Sequence, residues 1–473
     1  MLLIEAGFML PAAAIAAAGG DMRSLFAFLV TAGICAALGI SGALLRTDHS
    51  VFYAKEGYVT VSLAWIILSL AGALPFFIGG SIPDYVDAFF ECVSGFTTTG
   101  ASILSDVEAM PKSMLYWRSF THWLGGMGVL VLILALMPMM KSGSGGSTLH
   151  ILRAESPGPN VGKIVPKMRR TAQILYGIYI VLTVLMTVIL KITGMDLFTA
   201  VCYTFGTAGT GGFGTVASSC ADFSAVQQWV ITVFMILFGV NFSIYYLLLI
   251  KDVRSVVRDE ETIVYFVVII LSAAVITINT ASLFDSVSEA VRAAFFQVGS
   301  IITTTGYATA DFNLWPSFSK TVLVLLMFVG ACAGSTGGGI KMSRIMILVK
   351  SVSREIKKMI HPQAVRPVRV SGKVVPDETV RGVNVYICAY FAIFAVSMLI
   401  ISLDGFDFTT TFTAVAATIN HIGPGLGEVG PYGSFAGMSH ISKLILSADM
   451  LVGRLEIYPI LLLFSPSMWR RSR

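Results

Sequence analysis

One short polar stretch, recurring between long apolar runs, limits this chain to very few folds. Phe96-Thr97-Thr98-Thr99-Gly100-Ala101-Ser102 returns almost letter for letter as Ile302-Thr303-Thr304-Thr305-Gly306-Tyr307. Weaker copies are Gly206-Thr207-Ala208-Gly209-Thr210-Gly211-Gly212-Phe213 and Thr418-Ile419-Asn420-His421-Ile422-Gly423-Pro424. The copies align on Gly100, Gly211, Gly306 and Gly423. They recur about every 100 residues, too far apart for soluble solenoid units and suited to two membrane helices with a loop between them. A mean hydropathy of +0.81 and a charged fraction of only 12% exclude an ordinary soluble enzyme.

A membrane helix needs about 20 apolar residues. By that measure the sequence predicts ten spans, at 4–19, 25–45, 58–80, 115–138, 172–193, 226–250, 262–284, 320–349, 383–403 and 437–464. The first lacks a basic start, carries Glu5 and is followed directly by a second span, so it reads as an anchor rather than a signal peptide. The expected fold is an all-α polytopic membrane protein. A leading helical hairpin (1–45) precedes four tandem helix–re-entrant loop–helix repeats at 58–138, 172–250, 262–349 and 383–464. The re-entrant segments, near 84–96, 196–207, 286–301 and 406–418, are too short to cross. Each opens beside an acid, Asp84, Asp196, Asp285 or Asp407, suited to a helix N-terminus. Two full crossings per repeat return the chain to the same side, so all four glycine stretches face one way and can form a ring around one pore.

A dehydrated cation needs oxygens in place of its water shell. Backbone carbonyls supply them where the chain adopts conformations glycine accepts. The candidate filter is therefore Thr98, Thr99 and Gly100; Gly209, Thr210 and Gly211; Thr304, Thr305 and Gly306; and His421, Ile422 and Gly423. Acids at the outer mouth would concentrate cations there. The only metal expected is the transported ion at these residues. The six cysteines form no CxxC pair and the six histidines no ligand spacing, so no resident metal, cofactor or catalytic cluster is expected. Gly209-Thr210-Gly211-Gly212-Phe213-Gly214 matches GxGxxG but follows no strand. Gly334 to Lys341 resembles a phosphate loop, but Ile340 precedes Lys341 and Met342 stands where Ser or Thr is needed.

Charge is polarised along the chain. Segments 141–170 and 341–381 and the tail 465–473 are basic, whereas 81–113 carries Asp84, Asp87, Glu91, Asp106 and Glu108 against Lys112 alone. The positive-inside rule makes the basic side cytoplasmic. The basic loop 350–381 is long for a connector and reads either as a solvated loop or as a docking surface. Juxtamembrane placement argues against nucleic acid as the partner of these charges.

These residues resemble the Trk/Ktr/HKT superfamily of potassium transporters over nearly the whole chain. The specific marks are Thr97-Thr98-Thr99-Gly100-Ala101; Trp117-Arg118 with Trp123-Leu124-Gly125-Gly126-Met127-Gly128; Cys332 to Lys341; and Ile422-Gly423-Pro424-Gly425-Leu426-Gly427. The leading hairpin resembles the Trk branch. The resemblance implies potassium uptake across a bacterial inner membrane and a homodimer with one pore per subunit. It also implies a cytosolic TrkA-like RCK ring that senses a nucleotide such as ATP, ADP or NAD. In the plant HKT branch, Ser at the first filter glycine goes with sodium; here that position is Gly100. One departure is His421, where Trk proteins usually have Asn; the reading adopted is that its backbone alone lines the pore.

Span eight is interrupted by Gly330-Ala331-Cys332-Ala333-Gly334-Ser335-Thr336-Gly337-Gly338-Gly339, which should break a helix and can block or clear a pore. The candidate gate is Gly334, Ser335, Thr336, Gly337, Gly338, Gly339 and Arg454. Arg454 is a costly charge inside span ten, able to face the cavity and bond the broken loop or, alternatively, to pair with Glu456 or Asp449. Arg118 reads as an interfacial anchor or a partner for re-entrant-segment acids. A secondary symporter coupled to sodium or protons is the alternative function, and it predicts inverted repeats. An intramembrane enzyme would need a nucleophile or metal cluster, and the spans contain neither.

Overall fold

A computed structural model of the chain describes residues 1–44, 54–128, 168–363 and 366–469. α1 (Leu2–Ala18) and α2 (Met22–Leu44) pack as a hairpin. The first repeat is α3 (Ala54–Ile78), α4 (Tyr85–Phe96) and α5 (Lys112–Gly126). The second is α6 (Met168–Ile192), α7 (Leu197–Gly209), α8 (Ala225–Phe238) and α9 (Phe242–Leu249). A short α10 (Val253–Val257) leads to the third: α11 (Glu260–Thr280), α12 (Val287–Ile302), α13 (Ser317–Val329) and α14 (Met342–Ile360). A two-residue antiparallel ribbon, β1 (Arg369–Val370) with β2 (Lys373–Val374), precedes the fourth. That repeat is α15 (Asp377–Ile401), α16 (Phe408–Ile419), α17 (His440–Arg454) and α18 (Tyr458–Leu463), followed by α19 (Pro466–Trp469).

Among the described residues, five helices are long and apolar enough to cross a membrane: α2, α3, α6, α11 and α15. The sequence predicts ten spans with only the eighth interrupted, and two more breaks occur in second helices of the repeats. α8 and α9, read as one span at 226–250, meet at a 90° bend. The span at 437–464 breaks between α17 and α18, where Glu456 and Ile457 take φ of 57° and 70°. α5 ends at Gly126, and the rest of the span at 115–138 lies outside the described residues, as does most of the basic segment 141–170. The break between α13 and α14 falls where the glycines predict it. Residues 350–381 are not simply a loop: α14 runs through Ile360, the ribbon follows, and α15 begins at Asp377.

The short helices α4, α7, α12 and α16, expected to be re-entrant, hold the assembly together. α4 packs on α3 and α5 of its own repeat and on α17 of the fourth. α7 packs on α6 and α8, and on α5 of the first repeat. α12 packs on α11 and α13, and on α8 of the second; α16 packs on α15 and α17, and on α13 of the third. Each therefore touches the second helix of the repeat before it, and the fourth closes on the first. The outer faces of the long helices stay apolar and exposed, as at Val181, Leu271 and Leu399, which suits contact with lipid.

Candidate functional site

The re-entrant helices start with side-chain caps. Asp84 accepts from the amides of Val86 (2.8 Å) and Asp87 (3.1 Å), Asp196 from Phe198 (3.0 Å), and Asp407 from Thr409 (3.1 Å) and Thr410 (3.3 Å). In the third repeat the cap is Ser286, bonded by the Glu289 amide at 3.2 Å, rather than the expected Asp285. Hydrogen bonds from Thr410 and Thr409 hold the Asp407 carboxyl below its ordinary range.

All four helices end alike. The amides of Thr98, Thr210, Thr304 and His421 bond carbonyls three residues back, at Gly95, Thr207, Ile301 and Thr418. The next amides, of Thr99, Gly211, Thr305 and Ile422, bond carbonyls five back at 2.8 Å each. This is the Schellman closure, whose pivot is left-handed and ordinarily glycine. Here the pivots are Thr98, Thr210, Thr304 and His421, at φ of 59°, 55°, 58° and 61°. A β-branched residue there is an outlier costing of order 1–3 kcal/mol, a strain that clusters at functional sites.

Two residues beyond each pivot the chain is left-handed again, at Gly100 (φ 80°), Gly212 (80°), Gly306 (86°) and Gly423 (88°). This corrects the second repeat by one residue: Gly212, not Gly211, is the counterpart of Gly100. A Cβ on Gly100 would strike the Gly211 carbonyl oxygen, one on Gly212 that of Thr305, and one on Gly306 that of Ile422. One on Gly423 would lie 2.8 Å from the Thr99 carbonyl oxygen. Each glycine thus abuts the carbonyl preceding the glycine of the next repeat, and the circuit closes. Among the described residues, no hydrogen bond uses the carbonyls of Thr98, Thr99, Gly100, Thr210, Gly211, Gly212, Thr304, Thr305, Gly306, His421, Ile422 or Gly423. Gly209 falls outside this set, its carbonyl accepting from Thr210 Oγ1 at 2.6 Å. All four ring glycines line one vestibule. A ring of main-chain oxygens with no bonds of their own is equipped to replace a cation's hydration shell.

The acids expected at the mouth divide. Asp106 and Glu108 are exposed on the loop whose Ser105 and Val107 line the vestibule, and Glu108 accepts from the Ala217 amide at 2.9 Å. Asp87 and Glu91 are taken up in ion pairs. The described lining of the vestibule contains no carboxylate and one charge, Arg118. Glu91 is buried behind the ring, accepting from Arg118 Nε (2.6 Å), Ser102 Oγ (2.9 Å) and the Ile103 amide (2.9 Å). Arg118 also bonds the Gly214 carbonyl at 3.0 Å and stacks 3.5 Å over the Phe213 ring. Of its two readings, partner to a re-entrant acid is the one seen. Asp87 is paired with Lys443 at 2.6 Å.

The broken segment 330–341 lies against the other side of the ring. Gly338 donates to Thr304 Oγ1 at 2.7 Å, and a Cβ on Gly337 would sit 3.0 Å from the Thr303 carbonyl oxygen. Ser335 and Thr336 are buried, their hydroxyls donating to the carbonyls of Cys332 (2.7 Å) and Phe238 (3.2 Å). Gly334 accepts from the Phe242 amide at 3.0 Å, and Gly339 is left-handed at φ 75°. Arg454, buried, donates to Thr336 O (3.2 Å), Thr98 Oγ1 (3.2 Å), Gly126 O (3.0 Å) and Gly125 O. The alternative pairings do not form: Glu456 pairs with Arg344 at 2.5 Å, and Asp449 accepts from Ser397 at 2.8 Å. The His421 ring turns aside, its Nε2 2.7 Å from the Met450 carbonyl, which fixes the proton on Nε2.

Three further residues serve this segment. Glu261 accepts from Ala333 N (2.7 Å) and Ser343 N (3.1 Å), bracketing the break. Lys341 is buried and donates to Gly337 O. Arg344 stacks 4.1 Å over the Tyr386 ring. Charges at the margins of apolar spans were the available signal, though their partners lie far off in sequence.

Comparison with known proteins agrees with this architecture. The chain matches the TrkH family, described as a cation transport protein, over residues 24–471. It is 38% identical over 434 residues to the Trk system potassium uptake protein TrkH of Escherichia coli K12, covering 90% of this chain and 88% of that one. It is 35% identical over 457 residues to TrkG of the same strain, covering 95% and 92%. The crystal structure of the potassium transporter TrkH from Vibrio parahaemolyticus superposes with a TM-score of 0.85 at 33% identity, covering 99% of this chain and 97% of that one. With four short capped helices closing into a ring and homology along nearly its full length, this chain belongs to the TrkH family of membrane-integral cation transport proteins.

Proposed function

We propose that this protein takes up potassium across the bacterial inner membrane. Potassium enters from the vestibule, sheds water onto the ring carbonyls of Thr98–Gly100, Thr210–Gly212, Thr304–Gly306 and His421–Gly423, and passes when segment 330–341 withdraws. The observation that carries this reading is the closed circuit of four left-handed glycines, each set against the next repeat's carbonyl. The relatives named for potassium uptake support the choice of ion. No bond is made or broken, and potassium is cargo. The bonds from Arg454 and Thr304 support segment 330–341 as the gate. The family likeness supports a homodimer and control by a cytosolic nucleotide-binding ring, with the exposed ribbon β1–β2 available on the basic, cytoplasmic side. The four repeats close in one rotational sense, which supports a channel-like path over a symporter of inverted repeats.

The test is ion flux into vesicles with potassium, rubidium, sodium and lithium, repeated with Gly100→Ser. The unmodified protein should pass potassium and rubidium far faster than sodium and lithium, and Gly100→Ser should erode that preference. Equal flux for all four ions in the unmodified protein would overturn the assignment.

A further inference from the structure

At the N-terminal end of α15, α14 and α15 enclose a basic concavity. Its charged lining is Arg354, Lys358, Arg366 and Arg381, with Glu355 and Asp377 as the only carboxylates among the described residues. Arg354 engages both acids, at 3.2 Å to Glu355 and 2.6 Å to Asp377. Lys358, Arg366 and Arg381 are exposed and make no ion pair among the described residues. Three uncompensated cations around one hollow repel one another until an anion joins them.

The wall above the hollow says what kind of anion. Along α15, Arg381 and Asn384 continue at helical spacing into Val385, Cys388, Val396 and Leu399. Val385 is 52% exposed, Val396 57% and Leu399 70%, on a helix long and apolar enough to cross a membrane. A cationic hollow at the foot of an apolar, outward-facing stripe matches a molecule with a charged head and hydrocarbon tails. A soluble phosphate compound would use the hollow and leave the stripe uncovered. Basic pockets between membrane helices on the cytoplasmic side are suited to anionic headgroups.

We propose that this concavity binds the phosphate headgroup of an anionic lipid, whose acyl chains lie along α15. The site rests on α15 lying in a membrane and not on which ion is transported, so failure of the potassium reading would leave it standing. It also sits at the foot of the broken third repeat, since α14 runs directly from the gating segment into the hollow.

The test is native mass spectrometry of the purified full chain with phosphatidylglycerol or phosphatidylcholine of equal chain length. Retention of phosphatidylglycerol should exceed that of phosphatidylcholine at least tenfold, and millimolar inorganic phosphate or ATP should not displace it. The triple substitution Lys358→Gln, Arg366→Gln, Arg381→Gln should weaken retention roughly 100-fold, and Arg381→Gln alone roughly fivefold. The double substitution Lys357→Gln, Lys373→Gln, at basic positions outside the hollow, should leave it unchanged. Absence of a lipid preference, equal loss in the control, or displacement by phosphate or ATP would each overturn the proposal. If the triple variant fails to fold, an unchanged Arg381→Gln would do the same.

Discussion

Removing the Arg454 guanidinium gives the sharpest test of how the pore is closed. Four of its hydrogen bonds to described residues divide into two sets. Three fasten α17 to the first repeat, through Thr98 Oγ1, Gly126 O and Gly125 O. One, to Thr336 O at 3.2 Å, reaches the segment beneath the ring. Of these four, only the last reaches segment 330–341, so its loss is the one expected to favour withdrawal. A hydrogen bond from a charged donor contributes about 1.5–3 kcal/mol net. Arg454→Ala should therefore favour the withdrawn state roughly 10- to 150-fold, unless the seated state already dominates by far more. The segment keeps its bonds from Gly338 N to Thr304 Oγ1 and from Thr336 Oγ1 to Phe238 O, so partial rather than complete opening is expected. The readout is rubidium uptake into vesicles holding the variant without any regulator, alongside its melting temperature. A tenfold or greater rise in flux, with a lower melting temperature from the three lost anchors, is expected. A folded variant whose flux is unchanged or reduced would refute the assignment of Thr336 and its neighbours as the gate.

Glu91→Gln should lower the melting temperature sharply, because it leaves Arg118 charged and buried beside the vestibule, a loss of about 3–5 kcal/mol. Replacing both partners with Met should cost less than either single change, and the two melting curves decide it. At Gly338 a Cβ would lie 2.6 Å from His421 Nδ1, so Gly338→Ala should unseat segment 330–341 and, if that segment is the proposed gate, raise flux. Adding His421→Ala should not restore the lower flux, because the new Cβ would still lie 2.8 Å from His421 Cβ and 2.9 Å from the Asn420 carbonyl oxygen; an unchanged flux in Gly338→Ala itself would count against the contact. Asp407 has its pKa lowered on folding, so its contribution is present above the unfolded carboxylate pKa and fades as pH falls through the folded one. Asp407→Asn should flatten the acid limb of a stability–pH profile, and an unchanged limb would show that the cap is not felt there.

Local signals account for what was legible beforehand. An apolar run has the same length whatever surrounds it, so the long first helices of the repeats appear within a few residues of their expected bounds. The glycine that follows a left-handed pivot is a local requirement, so Gly100, Gly306 and Gly423, named from the sequence, take the left-handed conformation of the ring. In the second repeat, Gly211 and Gly212 stand side by side and either satisfies the local rule. Contact with Thr305 and Gly306 of the next repeat selects Gly212. By composition the acids of 81–113 all read as a cationic lure, and Asp106 and Glu108 remain exposed for that role. Glu91 instead serves Arg118 on the following helix, and Asp87 serves Lys443 in the fourth repeat.

The sequence by itself determined the membrane class, the positions of the short capped helices to within a residue or two, and the break between α13 and α14, because each depends on residues adjacent along the chain. The tertiary structure alone decided which carbonyls face one another, where α8 and α17 end, and what Arg454 holds. Those outcomes depend on groups brought together from different repeats, and an amide or guanidinium carries no local mark of the distant oxygen it will meet.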